Sequence, residues 1–505
     1  MREVFNQLPV SLQLPNIRRT PVQALSSVTS RSGLGVYASA DRLFKGAVFG
    51  RDSLEVADDL MYINPKLVRR ILLTMASLIG EESNPANEEE PGKVIHEYRT
   101  PVVDGRPIDK TSQEIFENLG AKWGGSKKEL AYYGATDSTP LFIKELSLYC
   151  QAYGTEILTE QVKLRSGKKE SLIVILEDAI DWLVRHIDAS ESGFVEYQRL
   201  NPKGIENQVW KDSKEFYVHP SGEIANHDRP ISSIEVQSAA YDALKLAGEL
   251  LPSHKKRLLE RAERLGKLVF EVLWMPDKDY FALGTDFSPN GELRTIKTIT
   301  ANPTALLDSM IFDDLASAEK QTYISGIVRE AMGTAFLTDA GIRSRSLGEA
   351  ELIKFWDYHG SFVTWPKETY DFAKGLYRQG LPALSAEHEN RLVNVTRAAR
   401  SFPEFFFVDA RGRVLGVPSR KRGRSRAEIV SLDSSNKPEG IQAWTVSAIV
   451  AILNRRSRDG QLLPNESWRQ ELQAEVLQHI PHVPRLKSSR ELAARYPSYP
   501  YELNK

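Results

Sequence analysis

The residues of this chain best suited to acid–base chemistry lie in the polar segment Asn207–Ser213, which reads Asn-Gln-Val-Trp-Lys-Asp-Ser. The segment places the indole of Trp210, the ammonium of Lys211 and the carboxyl of Asp212 side by side, between two apolar helical patterns. An apolar neighbour raises the pKa of a carboxyl and keeps it protonated, which is the state that a general acid needs. The alternative interpretation is an exposed surface loop. The pattern favours Asp212 as a candidate proton donor.

A second candidate carboxylate, Glu404, stands inside the apolar run Ser401–Phe407. An unpaired buried charge is unfavourable, so Glu404 is either a paired structural group or a functional one. Gln442 and Trp444 open the next strong helical pattern. Glu404 and Asp212 are far apart in the sequence, so only a closed fold brings them face to face.

Two further segments pair polar side chains with a helix start. The segment Phe-Gly-Arg-Asp-Ser contains Arg51, whose planar fork donates hydrogen bonds, and Asp52, which accepts them. A later segment contains Tyr133 and Asp137, and an aromatic ring beside a carboxylate suits the apolar face and polar rim of a sugar. Both segments also fit ordinary capped helices, in which a polar side chain satisfies the first backbone N–H groups.

The remaining candidates line possible pocket walls. His359 and Trp365 belong to a Tyr-His-Gly-Ser…Trp-Pro segment, which fits either a polar pocket or a buried helix entry. Glu235 opens a helix that would hold the segment of Asp212 in place. The acidic pair at positions 58 and 59 has no second acidic cluster with metal-site spacing, and the basic run at 420–426 is interpreted as a solvated loop.

The composition places the chain among globular proteins and gives no global drive toward nucleic acid or anionic membrane. The 505 residues are 41% hydrophobic and 26% charged, with a net charge of −1. The single cysteine, Cys150, excludes an intrachain disulfide and fits a reducing compartment. The N-terminus has no apolar signal core, and no apolar run is long enough to span a bilayer. We therefore expect a cytoplasmic protein with no nucleic-acid or membrane partner.

The elements that position these residues are mostly helical. Apolar residues recur at helical spacing along residues 172–187 as one continuous stripe. The same reasoning predicts further helices at residues 52–62, 66–80, 138–152, 233–251, 253–274, 303–315, 318–332, 366–378, 384–400, 440–455 and 467–479. These helices come in sequential pairs without strand–helix alternation, so a parallel α/β sheet is not expected. A helical solenoid and a closed barrel of helical hairpins both remain, and long loops collected at one end of a closed barrel would favour an enzyme.

Taken in order, nine segments resemble the amylo-α-1,6-glucosidase domain of glycogen debranching enzymes and the six-hairpin glycosidases related to glucoamylase. The matching blocks span residues from about 35 to 455 and are Phe49–Ser53, Pro91–Arg99, Tyr133–Phe142, Asn207–Ser213, Ile234–Gln237, Gly341–Arg343, Tyr358–Ser361 with Trp365-Pro366, Phe402–Glu404 and Gln442–Trp444. The chain departs from the family pattern at Val209, where glycine is common, and at Lys367-Glu368, where His-Asp is common.

The resemblance implies an all-α (α/α)6 barrel that hydrolyses a terminal α-glucosidic bond with inversion and without a metal or cofactor. Asp212 matches the general acid, Glu404 the general base, and Arg51 with Asp52 the pair that grips the terminal sugar. The other residues expected to bind an oligosaccharide or small α-glucoside are Tyr133, Asp137, Trp210, Lys211, Glu235, His359, Trp365, Gln442 and Trp444. The barrel is expected over residues 35–485, after an irregular arm at 1–34 and before a tail at 486–505. A phosphorylase on the same barrel and a non-catalytic carbohydrate-binding protein are the alternatives.

Overall fold

The structure is a computed structural model, and it describes residues 19–352, 357–414, 438–455 and 466–480. In these ranges the chain is rich in helix, as predicted. Numbered along the chain, the helices are α1 Pro21–Val28, α2 Gly50–Leu60, α3 Pro65–Ser77, α4 Lys110–Lys122, α5 Ser138–Tyr153, α6 Leu172–Ala189, α7 Ile234–Leu250, α8 Lys255–Leu268, α9 Ser317–Ala331, α10 Pro366–Arg378, α11 Pro382–Ala399, α12 Ala443–Arg455 and α13 Ser467–His479.

Short antiparallel strands connect the helices. They are β1 Val48–Phe49, β2 Glu97–Arg99, β3 Val102–Val103, β4 Arg106–Pro107, β5 Leu130–Tyr132, β6 Gln161–Lys163, β7 Lys169–Ser171, β8 Glu196–Tyr197, β9 Ile231–Ser233, β10 Trp274–Met275, β11 Tyr280–Phe281, β12 Gly284–Phe287, β13 Leu293–Ile296, β14 Leu337–Thr338, β15 Gly341–Ile342, β16 Val363–Thr364 and β17 Phe406–Phe407. The largest sheet has the order β13-β12-β9-β8, and β1-β2-β5 form another. Several strands end directly at a helix start and so fix where that helix begins.

The helix contacts run around a closed ring. Helix α2 packs against α5, α5 against α7, α7 against the 3-10 helix Asn302–Leu307, this helix against α10, α10 against α12, and α12 against α2. The next helix along the chain packs outside most ring members: α3 on α2, α6 on α5, α8 on α7, α9 on the 3-10 helix and α11 on α10. Helix α1 packs on α12. The result is two layers of helices, with the apolar core between them.

Amphipathic periodicity explains most of these helices. In α6 the predicted apolar stripe is buried against the ring. Asn64 caps α3 by accepting a hydrogen bond from the backbone N–H of Leu67 at 3.2 Å, and Pro65 occupies the first turn. The helices predicted at 52–62, 66–80, 138–152, 172–187, 233–251, 318–332, 366–378, 384–400, 440–455 and 467–479 are confirmed within a few residues at their ends.

Four expectations differ from the structure. The predicted helix at 303–315 is two 3-10 helices, Asn302–Leu307 and Met310–Phe312, because Asp242 binds the Ser309 hydroxyl and the Met310 backbone N–H between them. The predicted helix at 253–274 is α-helical to Leu268 and then forms a π-helical turn over Val269–Leu273. No helix was predicted over residues 110–122, where the structure has α4. This helix has only two buried residues, which is too few for an apolar stripe to show in the sequence.

The fourth difference concerns the N-terminal arm, which was expected to be irregular. It contains α1, where Thr20 and Gln23 form a reciprocal capping box. Ala24, Leu25 and Val28 bury the apolar face of this helix. The boundaries proposed for the arm, barrel and tail stay predictions, and residues 1–18 and 486–505 lie outside the described ranges. No helix in the described ranges is both long and apolar enough to cross a bilayer.

Candidate active site

The first turns of α2 and α12, and the residue before α10, meet the loops that carry Asp212, His359 and Glu404 at one cavity of about 400 Å³. We call it the outer cavity. Its walls are formed by Leu43, Phe44, Phe49, Arg51, Asp52, His96, Trp210, Asp212, Tyr358, His359, Trp365, Glu404, Phe405, Gln442 and Trp444. Nine of the thirteen residues predicted to form the site lie here, although they come from distant parts of the chain.

Asp212 faces the outer cavity with a side chain that is 29% exposed. Its Oδ1 accepts a hydrogen bond of 2.6 Å from the Tyr358 hydroxyl. Burial raises the pKa of Asp212, while the Tyr358 hydroxyl and the charge of Arg51 oppose that rise. Because burial prevails, the environment favours the protonated carboxyl, the form that donates a proton.

His359 lies beside Asp212 but is not a charged partner for it. The Nδ1 of His359 is 3.9 Å from Asp212 Oδ1 and 3.2 Å from the Ser213 hydroxyl. Burial, together with the charges of Lys211 and Arg51, holds the pKa of His359 well below its usual value. The imidazole is therefore neutral near neutral pH and serves as a polar aromatic wall.

Glu404 is 7% exposed and is held by the backbone of the segment just before α12. Its backbone N–H donates to the carbonyl of Glu439 at 3.0 Å, and the backbone N–H of Glu439 donates back to Glu404 Oε2 at 3.0 Å. These two hydrogen bonds fix the position of the Glu404 carboxyl group on the wall of the outer cavity.

Arg51 and Asp52 both line the outer cavity, but they do not pair with each other. The guanidinium of Arg51 forms a two-pronged ion pair with Asp137, with Nε at 2.5 Å and Nη2 at 3.2 Å from its oxygens. Asp52 accepts a hydrogen bond of 3.0 Å from Gln442 Nε2, and burial raises its pKa to about 7. Asp137 thus fixes Arg51, and Gln442 fixes Asp52.

Three tryptophans pack edge to face around the outer cavity. The ring centroid of Trp210 is 4.9 Å from that of Trp365 and 5.2 Å from that of Trp444. The Trp365 Nε1–H donates to the carbonyl of Tyr358 at 2.7 Å, which fixes the loop that carries the tyrosine. Perpendicular aromatic packing of this kind is favourable and rigid. The walls of the cavity are therefore preorganised.

The other four predicted site residues lie elsewhere. The hydroxyl of Tyr133 donates to the carbonyl of Leu78 and accepts from Arg165, so it is a buried structural group. Lys211 is fully buried and pairs with Glu368 at 2.6 Å. Asp137 and Glu235 line a second cavity inside the ring. Each of these side chains is directed away from the outer cavity by a partner that the sequence did not reveal.

The structure adds cavity residues that the sequence reasoning did not select: Leu43, Phe44, Phe49, His96, Tyr358 and Phe405. Tyr358 is the most informative of them because it binds Asp212 directly. It directly precedes His359, so the Tyr-His-Gly-Ser segment was the signal for it. His96 and Phe49 also belong to segments that had been singled out for other reasons.

Of the two charge clusters noted in the sequence, the acidic pair at positions 58 and 59 can be compared with the structure. Asp58 and Asp59 bind Lys374 Nζ at 2.5 and 3.2 Å, so both members of the acidic pair have a lysine as partner. Within the described ranges, no group of three or more acidic, histidine or cysteine side chains has a geometry that would hold a metal ion. The basic run at 420–426 lies outside the described residues.

The fold is one that solved glycosidases share. A glycosidase variant in complex with glucose aligns with a TM-score of 0.52 at 12% identity, covering 86% of this chain and 96% of its own. A GH63 mannosylglycerate hydrolase from Thermus thermophilus aligns with a TM-score of 0.51 in its glucose complex and 0.53 in its Tris complex. The identities are 13% and 14%, with 86% of this chain covered in both and 99% and 100% of the hydrolase. No known family profile matches the chain, and no curated protein sequence matches it. At these identities the likeness concerns the fold alone.

Proposed function

We propose that this protein is an inverting glycoside hydrolase that releases a terminal α-linked glucose, with an activity like that of amylo-α-1,6-glucosidases. The observation that carries the proposal is the shared position of Asp212 and Glu404 in one aromatic-walled cavity. Two carboxyl groups on the walls of one pocket are the arrangement that glycoside hydrolysis requires. The closed ring of helix contacts further supports assigning the fold as the (α/α)6 barrel of six-hairpin glycosidases.

The environments of the two carboxyl groups support different roles. Asp212, whose pKa burial raises, is assigned as the general acid that protonates the leaving oxygen. Glu404, which accepts a backbone N–H, is assigned as the general base that takes a proton from the attacking water. Inversion requires a separation of roughly 6.5–9.5 Å between the carboxyl groups so that the water fits between them.

The remaining walls suit a single terminal sugar. Asp52, Gln442 and Arg51 present polar atoms on one side, while Trp210 and Trp365 present aromatic surface on another. A sugar has polar hydroxyls at its rim and apolar C–H faces, so this combination fits its chemistry. Two glycosidases with a similar fold, one of them the mannosylglycerate hydrolase, were solved with bound glucose. This supports a glucoside or another short glycoside as the substrate.

A panel of α-glucosides with glucose detection tests the proposal. It should include isomaltose, maltose, trehalose, limit dextrin and glucosylglycerate, each with and without phosphate. We expect turnover that does not depend on phosphate and β-glucose as the first product in NMR. Phosphate-dependent turnover would instead assign a phosphorylase, and α-glucose as the first product would contradict inversion.

Asp212→Asn and Glu404→Gln should each lower kcat by at least about 100-fold, because positioned acid–base groups contribute roughly 10²- to 10⁴-fold. Both substitutions keep the side-chain shape, so the circular dichroism spectrum should be unchanged. Glu271→Gln, at an exposed site on the outer face, is the matched control and should leave turnover intact. Near-normal turnover of the Asp212 variant would refute the assignment of the acid.

A further inference from the structure

The interior of the helix ring contains a second cavity, of about 110 Å³, directly behind Arg51 and Trp210. We call it the inner cavity. It runs from the first turns of α2 and α7 inward to Lys144 on α5, Asp242 on α7 and Lys374 on α10. The volume is several times what one water molecule requires. Among the described residues, only Arg51 and Trp210 line both cavities, so the inner cavity is distinct from the site assigned above.

Negative charge is in excess around the inner cavity. Nine carboxyl side chains line it, against four cationic ones. Six of the nine have a basic partner, and these ion pairs are Asp137–Arg51, Glu55–Lys367, Asp371–Lys367, Asp58–Lys374, Glu145–Lys144 and Glu368–Lys211. Glu235, Asp242 and Asp308 form no ion pair with a described lysine or arginine. If all nine carboxyl groups are ionised, the described walls therefore carry more negative than positive charge.

The buried polar atoms around the inner cavity that lack a partner are hydrogen-bond acceptors. Both carboxyl oxygens of Glu145, Oε1 of Glu235 and Oδ1 of Asn302 are buried and have no hydrogen-bond partner among the described residues, although Lys144 Nζ forms the ion pair with Glu145 Oε1 at 3.4 Å. Glu145 is 1% exposed and Asn302 is 3% exposed. The amide nitrogen of Asn302 already donates to Glu235, so its free carbonyl points to a donor from outside the chain. Buried acceptors without donors are unfavourable, and a donor bound in the cavity would relieve this.

We propose that the inner cavity binds a small organic cation, a primary amine or short diamine, with its ammonium held by Glu145, Asp308 and the carbonyl of Asn302. An ammonium supplies three N–H donors and one positive charge, which are the two things these walls lack. A metal ion fits less well, because the described residues hold no group of three ligands in metal geometry. Mg²⁺ and Ca²⁺ require six or more oxygen ligands in a compact shell.

The protonation of the inner cavity agrees with this proposal. Burial raises the pKa of Asp308 to about 6 and that of Glu235 to about 7, and it raises the pKa of Glu145 well above its usual value. Lys144 and Lys374 oppose the rise at Asp308, while the charge of Asp58 adds to it. At neutral pH some of the excess carboxyl groups therefore hold protons. A bound ammonium would favour their ionised forms and release those protons.

Isothermal titration with putrescine (1,4-diaminobutane) tests the proposal. The uncharged analogue 1,4-butanediol has the same length, and KCl at equal ionic strength controls for screening. We expect putrescine to bind and raise Tm, while butanediol and KCl do neither. The heat of binding should differ between phosphate and MOPS buffers at pH 7, because protons are released into the buffer. Equal binding of the diamine and the diol would overturn the proposal, and so would the lack of any putrescine binding.

Variants locate the site. Glu145→Gln and Asp308→Asn should each weaken putrescine binding about tenfold, since each removes a charge-assisted hydrogen bond. Glu260→Gln, on the exposed face of α8, should bind like the wild type. Asp212→Asn should also retain binding, and glucose should not compete. If glucose competes, or if neither inner-cavity variant weakens binding, the ammonium lies elsewhere and the proposal fails. The proton release of the wild type remains decisive if a variant does not fold.

Discussion

Replacing Tyr358 with phenylalanine isolates the hydrogen bond that the structure gives to the proposed acid. The Tyr358 hydroxyl donates to Asp212 Oδ1 at 2.6 Å, and this bond opposes the rise in the Asp212 pKa that burial causes. Phenylalanine keeps the ring contacts with His359 and Trp365 but cannot donate. The ionised form of Asp212 loses a donor, so the pKa of Asp212 should rise further.

The size of the effect follows from the type of bond. A hydrogen bond to a charged group contributes roughly 1.5–3 kcal/mol, and about 1.36 kcal/mol corresponds to one pH unit in a titration. Because the Asp212 side chain is 29% exposed, water replaces part of the lost bond, so the lower end of that range applies. A general acid works while protonated, and its deprotonation sets the alkaline limb of the pH–rate profile. We expect that limb to move up by roughly one pH unit.

The assay is the pH dependence of kcat/KM on the best α-glucoside of the panel, for wild type and Tyr358→Phe. The acid limb, which reports the proposed base, should stay in place. Tyr98→Phe is the matched control, because the Tyr98 hydroxyl donates to Glu129 at 3.0 Å outside the outer cavity. An alkaline limb that stays fixed, or that moves to lower pH, would refute the assignment of Asp212 as the acid that Tyr358 tunes.

Two further predictions concern the buried charges of the ring. Lys211→Met should lower the free energy of unfolding by about 3–5 kcal/mol in urea titrations, because it leaves Glu368 buried without its cation. Adding Glu368→Leu to this variant should restore part of the lost stability. Burial raises the pKa of Asp59 to about 7, so the folded protein favours the protonated form of this carboxyl. The stability that this protonation contributes is fully present below the unfolded pKa near 4 and is lost as pH rises toward 7. Asp59→Asn removes this loss, so it should stabilise the protein by up to about 2.6 kcal/mol more at pH 8 than at pH 5, because the part of the loss below pH 5 is common to both conditions. An equal effect at both pH values would contradict that linkage.

Helix positions were predictable where burial was one-sided. The stripe in α6 is a direct consequence of packing one face against the ring, and period alone reveals it. The break between the two 3-10 helices was not predictable, because it depends on a hydrogen bond from Ser309 to the distant Asp242. The closed ring was only one of two architectures that paired helices allow. Nothing in local periodicity records which helix closes on α2.

The site was predictable as a set of segments but not as a set of contacts. Asp212 and Glu404 lie in loops between an outer helix and the next ring helix, while Trp365 and Trp444 lie at the starts of α10 and α12, and all four line one cavity. The pairing of Arg51 with Asp137 was not foreseen, since the pattern placed Arg51 beside Asp52. Ion-pair partners are chosen in three dimensions among residues that are far apart in sequence, and here the nearer carboxylate pairs with Gln442 instead.

The position of Lys367 and Glu368 bears on the substrate preference of the proposed glycoside hydrolase. These two residues depart from the family pattern that the chain resembles, yet both line the inner cavity and neither lines the outer one. Glu368 pairs with Lys211, and Lys367 Nζ lies 5.0 Å from the ring centroid of Trp210, next to the proposed acid. Lys367 and Glu368 therefore contact the segment Asn207–Ser213 from the side of the inner cavity. Uncharged residues at these two positions would leave Lys211 without its ion-pair partner. Under the proposed function, differences in substrate preference should therefore be sought among the residues that line the outer cavity.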